Sequence, residues 1–339
     1  MKKLLALLMC FVLVFGFAAC GSEGGEGDGG DAAVDPIKIS LGHALSEGTP
    51  ACEGIAAWAE AVNEKTEGRV EIEVFPNSQL GSETEMLEQI QLGSLEAGAI
   101  MVGTMQAVDM RMAIEDLPYM WADIDHARAA YDGEFGDYLA GIMAEHDMTQ
   151  VAYVEWGFRH MTNNKKPIVV PEDMKGVSIR VAQTALRVEA FEEIGAVPTV
   201  MAFSELYGAL QQGVVDAQEN PLPTIAAAKL NEVQDYLSLT GHFYNTVMMV
   251  FDTDVWNSIS AEDQAIILAE AEAMEKTVRE GNSNSEADTI QALKDAGMQV
   301  NDDVDTAAFR TAMLPVYDKW EKEVFGTEMM DIYRAASGW

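Results

Sequence analysis

Cysteine is scarce in this sequence of 339 residues, which contains only Cys10, Cys20 and Cys52. Cys10 lies inside an apolar N-terminal run and Cys20 directly follows that run, so Cys52 is the one cysteine in the body of the chain. A single cysteine excludes an internal disulfide. The hydrophobic core must therefore supply the stability of the folded chain.

Basic residues are also few. The sequence has 21 Lys and Arg against 56 Asp and Glu, and its net charge at pH 7 is −35. Such a surface repels nucleic-acid phosphates and anionic lipid headgroups, which excludes nucleic acid as a partner. An anionic ligand would need a local pocket of positive charge.

The usual catalytic motifs are absent. The sequence contains no H-E-x-x-H, C-x-x-C, G-x-S-x-G or Walker motif. Its five histidines are scattered without the spacing of metal ligands. We therefore predict a protein that is not an enzyme and that carries no metal or cofactor.

The one long apolar run, residues 4–19, follows two lysines at the start of the chain. Its length suits a signal peptide better than a membrane-spanning helix. The run ends in the sequence FAAC (17–20), which resembles a bacterial lipobox. We predict a signal peptide over residues 1–19 and a lipid anchor on Cys20. The alternative is a plain signal peptide that leaves Cys20 as a free thiol.

Residues 20–33 consist almost entirely of glycine, serine and acidic residues. Such a composition predicts a flexible, solvated tether. We therefore expect the protein outside the cytoplasm, either anchored to the outer face of the cell membrane or in the periplasm.

Strand and helix patterns alternate along the rest of the chain. Residues 37–41 and 70–74 alternate as strands do, and residues 50–66 between them carry apolar side chains at helical spacing, which is typical of a βαβ unit. Further strands are predicted near 97–102, 150–156, 175–181, 197–201, 214–217 and 245–252, and further helices near 83–93, 125–146, 184–195, 204–212 and 260–296. This pattern predicts an α/β fold in two halves, 34–156 and 157–245.

The last predicted helix has two local signals. It begins with a capping pattern at Ser260 to Asp263. Gly281 and two asparagines interrupt it, and there we expect it to bend or break.

The positions of two arginines in the predicted strands suggest a site for an anionic ligand. Arg159 closely follows the predicted strand near 150–156, and Arg180 lies inside a predicted strand, where an unpaired charge would be costly. Ligands of open α/β sheets bind at the C-terminal ends of strands, and an arginine there can bind a carboxylate through two parallel hydrogen bonds. The alternative for each arginine is a structural ion pair with one of the many acids.

Three more residues are candidates from their position alone. Asn220 belongs to a polar cluster at 216–221, where it contacts a ligand or caps a turn. Phe203 and Trp156 lie near strand ends, where they line a pocket or belong to the core.

Several ordered segments resemble the DctP family, the substrate-binding proteins of tripartite ATP-independent periplasmic (TRAP) transporters. The resemblance extends from about residue 36 to about 335. It is carried by LGH (41–43), GRV (68–70), FPNSQLG (75–81), LPY (117–119), DMKG (173–176), VSIRV (177–181), GAVPTVMAFSELYGALQ (195–211) and VDAQENP (215–221).

The resemblance implies a two-lobed fold of the periplasmic-binding-protein type. In this fold each lobe is a sheet flanked by helices, and crossing segments and a long helix link the lobes. We expect lobe I to comprise 34–156 with 246–285, and lobe II to comprise 157–245 with 286–339.

The resemblance also implies a function. The lobes would close on an organic acid, such as a C4-dicarboxylate, and deliver it to a TRAP permease with a small and a large membrane subunit. Arg180 matches the family's main carboxylate-binding arginine, and Arg159 matches a second one. The implied ligand contacts are Arg180, Arg159, Asn220, Phe203, Gln183, Glu83, His43, His242 and Trp156.

The chain departs from one branch of the family. Ala44 stands where sialic-acid-binding members carry Asn, and Met101 stands where they carry an acid, so we expect a smaller or more apolar acid than a sugar acid. A monomer is expected. Two other functions stay open, namely a ligand-sensing partner of a membrane receptor and a tethered enzyme that acts on a carboxylate.

Overall fold

The computed structural model describes residues 35–339, which form one compact unit. The predicted signal peptide, Cys20 and the tether lie outside these residues. Within residues 35–339, no helix combines the length and the apolar character needed to cross a membrane.

The strands of the described residues form one mixed sheet of nine strands. They are β1 (Ile37–His43), β2 (Val70–Phe75), β3 (Ala97–Met101), β4 (Met148–Asn163), β5 (Ser178–Val181), β6 (Val197–Val200), β7 (Ala217–Pro221), β8 (Tyr236–Asp252) and β9 (Gln299–Asn301).

Helices cover both faces of this sheet. They are α1 (Pro50–Lys65), α2 (Glu83–Gln91), α3 (Ile124–Tyr131), α4 (Glu134–Ala144), α5 (Ala185–Glu193), α6 (Phe203–Gln211), α7 (Leu222–Ala227), α8 (Thr253–Ser258), α9 (Ala261–Asp295), α10 (Thr306–Trp320) and α11 (Gly326–Ala336).

The two lobes share the two longest strands. The strand order is β2-β1-β3-β8-β4-β7-β5-β6, with β9 also paired to β8. The first lobe is built around the parallel strands β1–β3, and the second around β5–β7. The antiparallel strands β4 and β8 run through both, so the predicted sheet of each lobe is part of one continuous sheet.

The paired strands β4 and β8 change register where they pass from one lobe to the other. A register shift lies between Glu155 and Gly157 of β4, opposite Thr246 and Asn245 of β8. Gly157 has φ of +105°, a conformation that residues with a side chain rarely adopt. The bulge therefore bends the pair at the predicted crossing between the lobes.

Local signals place the first βαβ unit as predicted. Thr49 caps α1 by accepting a hydrogen bond from the backbone N–H of Cys52, and Pro50 occupies the first turn, where its missing N–H costs nothing. Ile55 and Val62, spaced seven apart on one helix face, are fully buried against the parallel strands β1 and β2.

The predicted break at Gly281 is wrong, because α9 is continuous from Ala261 to Asp295. Tertiary contacts outweigh the weak helix propensity of this segment. Gly281 packs closely on Pro50, and the Asn282 amide donates to the carbonyl and carboxylate of Glu155 (3.2 and 3.1 Å). The predicted cap is confirmed, since Ser260 accepts from the N–H of Asp263 (3.1 Å).

This long helix links the lobes as the fold class predicts. In its first half, the Ile267 carbonyl accepts from the Trp58 indole N–H of α1 (3.2 Å). Near its end, Leu293 packs in a cluster with Leu210 and Leu237 of the second lobe.

The predicted helix near 125–146 is instead two helices, α3 and α4. Gly136 passes so close to the Tyr131 carbonyl that a Cβ would lie 2.1 Å from that oxygen. This close approach turns the chain between the two helices. The last helix, α11, returns to this region, where Tyr333 packs edge-on against Trp121.

Candidate ligand-binding site

Arg180 lies on β5 with its guanidinium held by the segment that follows β6. Its Nε and Nη2 donate to the Met201 carbonyl at 3.0 and 2.8 Å, and its guanidinium lies 6.0 Å from the ring centroid of half-buried Phe203. The side chain is 3% exposed. Burial lowers the pKa of Arg180 to about 10, so it stays charged at neutral pH. Its Nη1 has no hydrogen-bond partner among the described residues.

Arg159 lies on β4 and is committed to an acid. It forms a buried ion pair with Glu219 of β7, and its Nη2 also donates to the Glu219 carbonyl (2.6 Å) and to Asn220 Oδ1 (2.9 Å). The guanidinium lies 5.4 Å from the ring centroid of Trp156, while Nη1 is buried without a partner.

Asn220 lies inside strand β7 rather than in a turn. The strand predicted at 214–217 runs instead over Ala217–Pro221, because this segment pairs antiparallel with β4 and places Asn220 opposite His160. The Asn220 Nδ2 donates to Gln218 Oε1 (2.5 Å), so the amide is held with its oxygen toward Arg159. The structure therefore brings Asn220 and Arg159 together.

Glu83 faces this region from the first turn of α2 in the first lobe. Its carboxylate accepts from the Met101 N–H (2.8 Å) and from the Thr104 hydroxyl (3.3 Å). Burial raises the pKa of Glu83, and these two hydrogen bonds and the charges of Arg180 and Arg159 oppose that rise. The positive charges of Arg180 and Arg159 therefore act on the Glu83 carboxylate across the two lobes.

His43 ends strand β1 in the first lobe. It is fully buried, and neither ring nitrogen has a hydrogen-bond partner. Burial lowers the pKa of His43 to about 4, so the ring is neutral at pH 7. A buried polar side chain without a partner is rare in folded proteins and indicates a position that meets a ligand or water.

Direct contacts between the lobes lie beside these residues. The exposed Gln183, just after β5, accepts from the hydroxyl of Thr84, the neighbour of Glu83 (3.3 Å). The Ala185 N–H at the start of α5 donates to Gln106 Oε1 (2.7 Å). A cleft of about 410 Å³ opens next to Phe203, between Ser46 and Ser78 of the first lobe and Tyr207 of the second.

His242 and Trp156 lie next to the Arg159 ion pair. His242 Nδ1 shares a hydrogen bond with the Thr240 hydroxyl (2.7 Å), and its Nε2 lies 3.5 Å from Glu219. The Trp156 indole N–H donates to the Thr224 hydroxyl (2.8 Å). Both rings are buried, and Trp156 Nε1 and His242 Nδ1 have protein partners, whereas His242 Nε2 makes no hydrogen bond among the described residues.

Three buried residues of the site, Arg187, Asp116 and Glu219, are not among the residues predicted from the sequence. Arg187 of α5 is fully buried, pairs with Asp116 of the first lobe and donates to Glu219 (2.9 Å). Burial would raise the pKa of Glu219, but Arg159 and Arg187 outweigh it and hold that pKa well below its usual range.

One signal for Arg187 is present in the sequence. Arg187 shares the buried face of α5 with Leu186, Ala190 and Phe191. A cation on an apolar helix face requires a buried partner. Glu219 and Asp116 carry no comparable signal, because single acids are uninformative in a chain with 56 of them.

Of the three buried arginines of this site, Arg180 is the one without a carboxylate within ion-pair distance among the described residues. Arg159 and Arg187 share the carboxylates of Glu219 and Asp116, so their charges are balanced. Arg180 has only a carbonyl as partner among the described residues. A guanidinium in this state attracts an anion strongly, because the low dielectric of a buried site strengthens the interaction.

A two-lobed α/β fold, with polar groups from both lobes meeting beside a cleft, defines a solute receptor. The profile of the family described as bacterial extracellular solute-binding protein, family 7 (DctP), matches residues 41–323. The chain belongs to this family.

Similar proteins agree with this assignment. A solute-binding protein of Verminephrobacter eiseniae is 35% identical over 300 residues, which are 88% of this chain and 88% of the relative. A TRAP periplasmic solute-binding protein of Polaromonas sp. JS666, solved with D-erythronate, is 34% identical with a TM-score of 0.83, covering 87% of this chain and 98% of that one. The corresponding protein of Sulfurospirillum deleyianum, solved with succinate, is 30% identical with a TM-score of 0.83, covering 88% and 98%.

These similarities confirm the predicted family and fold class. The family consists of solute-binding receptors, which confirms the prediction of a receptor rather than an enzyme. Its description also places its members outside the cytoplasm.

Proposed function

We propose that this receptor captures an organic acid between its lobes and delivers it to a TRAP permease. The observation that carries the proposal is the state of Arg180, which is buried, charged and fixed by the Met201 carbonyl, and whose Nη1 has no partner in residues 35–339. The acids bound to the similar proteins of Polaromonas and Sulfurospirillum, D-erythronate and succinate, support an organic acid as the ligand class.

The other residues have separate roles in this proposal. Arg159 adds positive charge to the carboxylate site, Asn220 orients Arg159, and Phe203 packs on the ligand. From the first lobe Glu83 and His43 meet the rest of the ligand. Gln183 joins the lobes, and Trp156 and His242 support Arg159.

Closure of the lobes is part of the proposal. We place lobe I at 34–156 with 246–285 and lobe II at 157–245 with 286–339. The register shift beside Gly157 supports a hinge at the crossing. The contact of α11 with α3 and α4 then links the end of lobe II to lobe I.

The N-terminal sequence supports a membrane tether. In this proposal Cys20 carries a lipid, and a monomeric receptor on the tether meets the small and large permease subunits at the membrane. Substitution of Cys20 by Ser should move the protein from the detergent phase to the aqueous phase in a phase-partition assay. Unchanged partitioning would contradict the lipid anchor.

Thermal unfolding against a panel of organic acids tests the function. A ligand present at about one hundred times its dissociation constant adds roughly 2.7 kcal/mol to the free energy of unfolding, and the midpoint rises by several degrees. The protein is first unfolded and refolded, so that co-purified ligand is removed. A rise with carboxylates but not with their amides supports the proposal, and no rise with any carboxylate contradicts it.

A further inference from the structure

The basic residues of the first lobe are all committed to acids. The described residues assigned to lobe I, 35–156 and 246–285, contain seven Lys and Arg, and each has a carboxylate partner within ion-pair distance. The pairs are Lys38–Glu71, Lys65–Glu270, Arg69–Asp263, Arg111–Asp109, Arg128–Glu155, Lys276–Glu272 and Arg279–Asp132. The end of a ligand that meets the first lobe therefore finds no uncommitted lysine or arginine.

The first lobe instead presents an acid. The Glu83 carboxylate accepts hydrogen bonds from the Met101 N–H and the Thr104 hydroxyl, which favour its ionised form, whereas burial raises its pKa. The contact of Thr84 with Gln183, three residues after Arg180, places the start of α2 against the end of β5. An ionised carboxylate repels a second ligand carboxylate and accepts a hydrogen bond from a hydroxyl.

His43, at the end of β1, contributes a neutral polar group from the first lobe. The ring is fully buried and both nitrogens lack partners, so it has one donor and one acceptor to offer. A hydroxyl satisfies either nitrogen, because it donates and accepts. A carboxylate satisfies only the nitrogen that carries a proton.

We infer that the ligand is a small hydroxylated monocarboxylic acid and not a dicarboxylic acid. Arg180 binds its single carboxylate, and Glu83 and His43 bind its hydroxyl groups. This inference rests on the proposed function, since it needs Arg180 as the carboxylate site. It keeps the expected small size of the acid, but it departs from the expectation of an acid other than a sugar acid.

The test compares four-carbon acids that share one carboxylate and differ in the hydroxyl groups or the second carboxylate on their other carbons. The purified chain, refolded free of ligand, is titrated calorimetrically with butanoate, succinate, D-erythronate and its diastereomer D-threonate. We expect at least one of the hydroxy acids to bind about tenfold or more tightly than both butanoate and succinate, because hydrogen bonds to a charged group are strong. Succinate binding as tightly as the better hydroxy acid would overturn the inference.

A variant identifies the residue responsible. Glu83→Gln should weaken the hydroxy acid about tenfold and leave butanoate nearly unchanged, since only a hydroxyl uses the lost charge. Glu88→Gln, an exposed position on the same helix, is the matched control and should change neither. Equal losses for butanoate and the hydroxy acid would overturn the role of Glu83.

The affinities of the unsubstituted protein for the four acids test the inference even if Glu83→Gln fails to fold. Failure of the proposed function gives a different result. In that case none of the four acids binds, nor does any other carboxylate, and the proposed function and the inference are overturned together.

Discussion

Arg187 of α5 and Asp116 of the first lobe form an ion pair in which both side chains are fully buried. The same guanidinium donates to Glu219 of β7 (2.9 Å) and to Asn245 Oδ1 of β8 (3.0 Å). It also lies 4.8 Å from the ring centroid of Phe243. One side chain thus connects the first lobe, the second lobe and a strand that runs through both.

Loss of this guanidinium should be costly. We expect Arg187→Met to lower the free energy of unfolding by about 3–5 kcal/mol, because it leaves the Asp116 carboxylate buried without a charged partner. Urea unfolding measures the change. The control is Lys319→Met of α10, which removes a solvent-accessible ion pair with Glu189 of α5, the helix that carries Arg187, and should cost under about 1 kcal/mol.

The pair should also show coupling. In a double-mutant cycle, Asp116→Asn added to Arg187→Met should cost less than the sum of the two single changes, because the unpaired charge is then removed. Additive costs would contradict a direct interaction between the two residues.

Asn220 should act through Arg159. Asn220→Ala removes the hydrogen bond that its side chain accepts from Arg159 Nη2, and we expect ligand affinity to fall about tenfold. Calorimetric titration with the best-binding acid measures this. Asn284→Ala, at an exposed position of α9, should leave the affinity unchanged. Equal affinities for the two variants would show that Asn220 does not contribute to ligand binding.

His43 should make stability depend on pH. Its pKa is about 4 in the folded protein, lowered by burial, against about 6.5 in the unfolded chain. The unfolded chain binds more protons between these values, so stability is lost as the pH falls from about 6.5 to about 4, by on the order of 3 kcal/mol.

The difference between the protein and its His43→Gln variant isolates this contribution. Other buried groups, including His160, titrate in both proteins and cancel in the comparison. The variant should lose less stability over this pH range, as measured by urea unfolding at each pH. The exposed His126→Gln is the control. If the free energy of unfolding falls equally with pH in the protein and in His43→Gln, His43 is not a buried, neutral histidine in the folded protein.

Gly103 leaves room for the Asp116 carboxylate. A Cβ at this position would lie 2.6 Å from Asp116 Oδ2, and Arg187 prevents the carboxylate from moving away. We therefore expect Gly103→Ala to lower the unfolding midpoint, with a cost of about 1–3 kcal/mol. Gly141→Ala within α4, where a Cβ meets nothing within 4 Å, should be neutral or stabilising. A neutral Gly103→Ala would contradict the close packing.

Local patterns predicted much of the fold. The βαβ unit at 37–75 and the Ser260 cap follow from alternation and capping residues, which act within a few residues of each other. The full length of β4 and β8 could not be predicted this way. These strands continue through polar residues such as Arg159 and Asn245, whose burial depends on partners distant in the sequence.

The residues of the site also differ in how far the sequence predicts them. Arg180 stood out because an arginine inside a strand is unusual, and the family resemblance assigned it a role. Arg187 and Asp116 are separated by 71 residues, and only the folded chain shows that they meet. The continuity of α9 through Gly281 has the same cause, since contacts with Pro50 and Glu155 determine it.

The most direct test of the account is the affinity of Arg180→Ala for the organic acid that binds best, compared with Lys175→Ala. Lys175 is exposed and lies five residues earlier, so both variants lose one positive charge from the same segment. We predict that Arg180→Ala loses affinity by about a hundredfold or more, because a buried charge pair is lost, and that Lys175→Ala binds as before. Equal affinities for the two variants would contradict Arg180 as the carboxylate site.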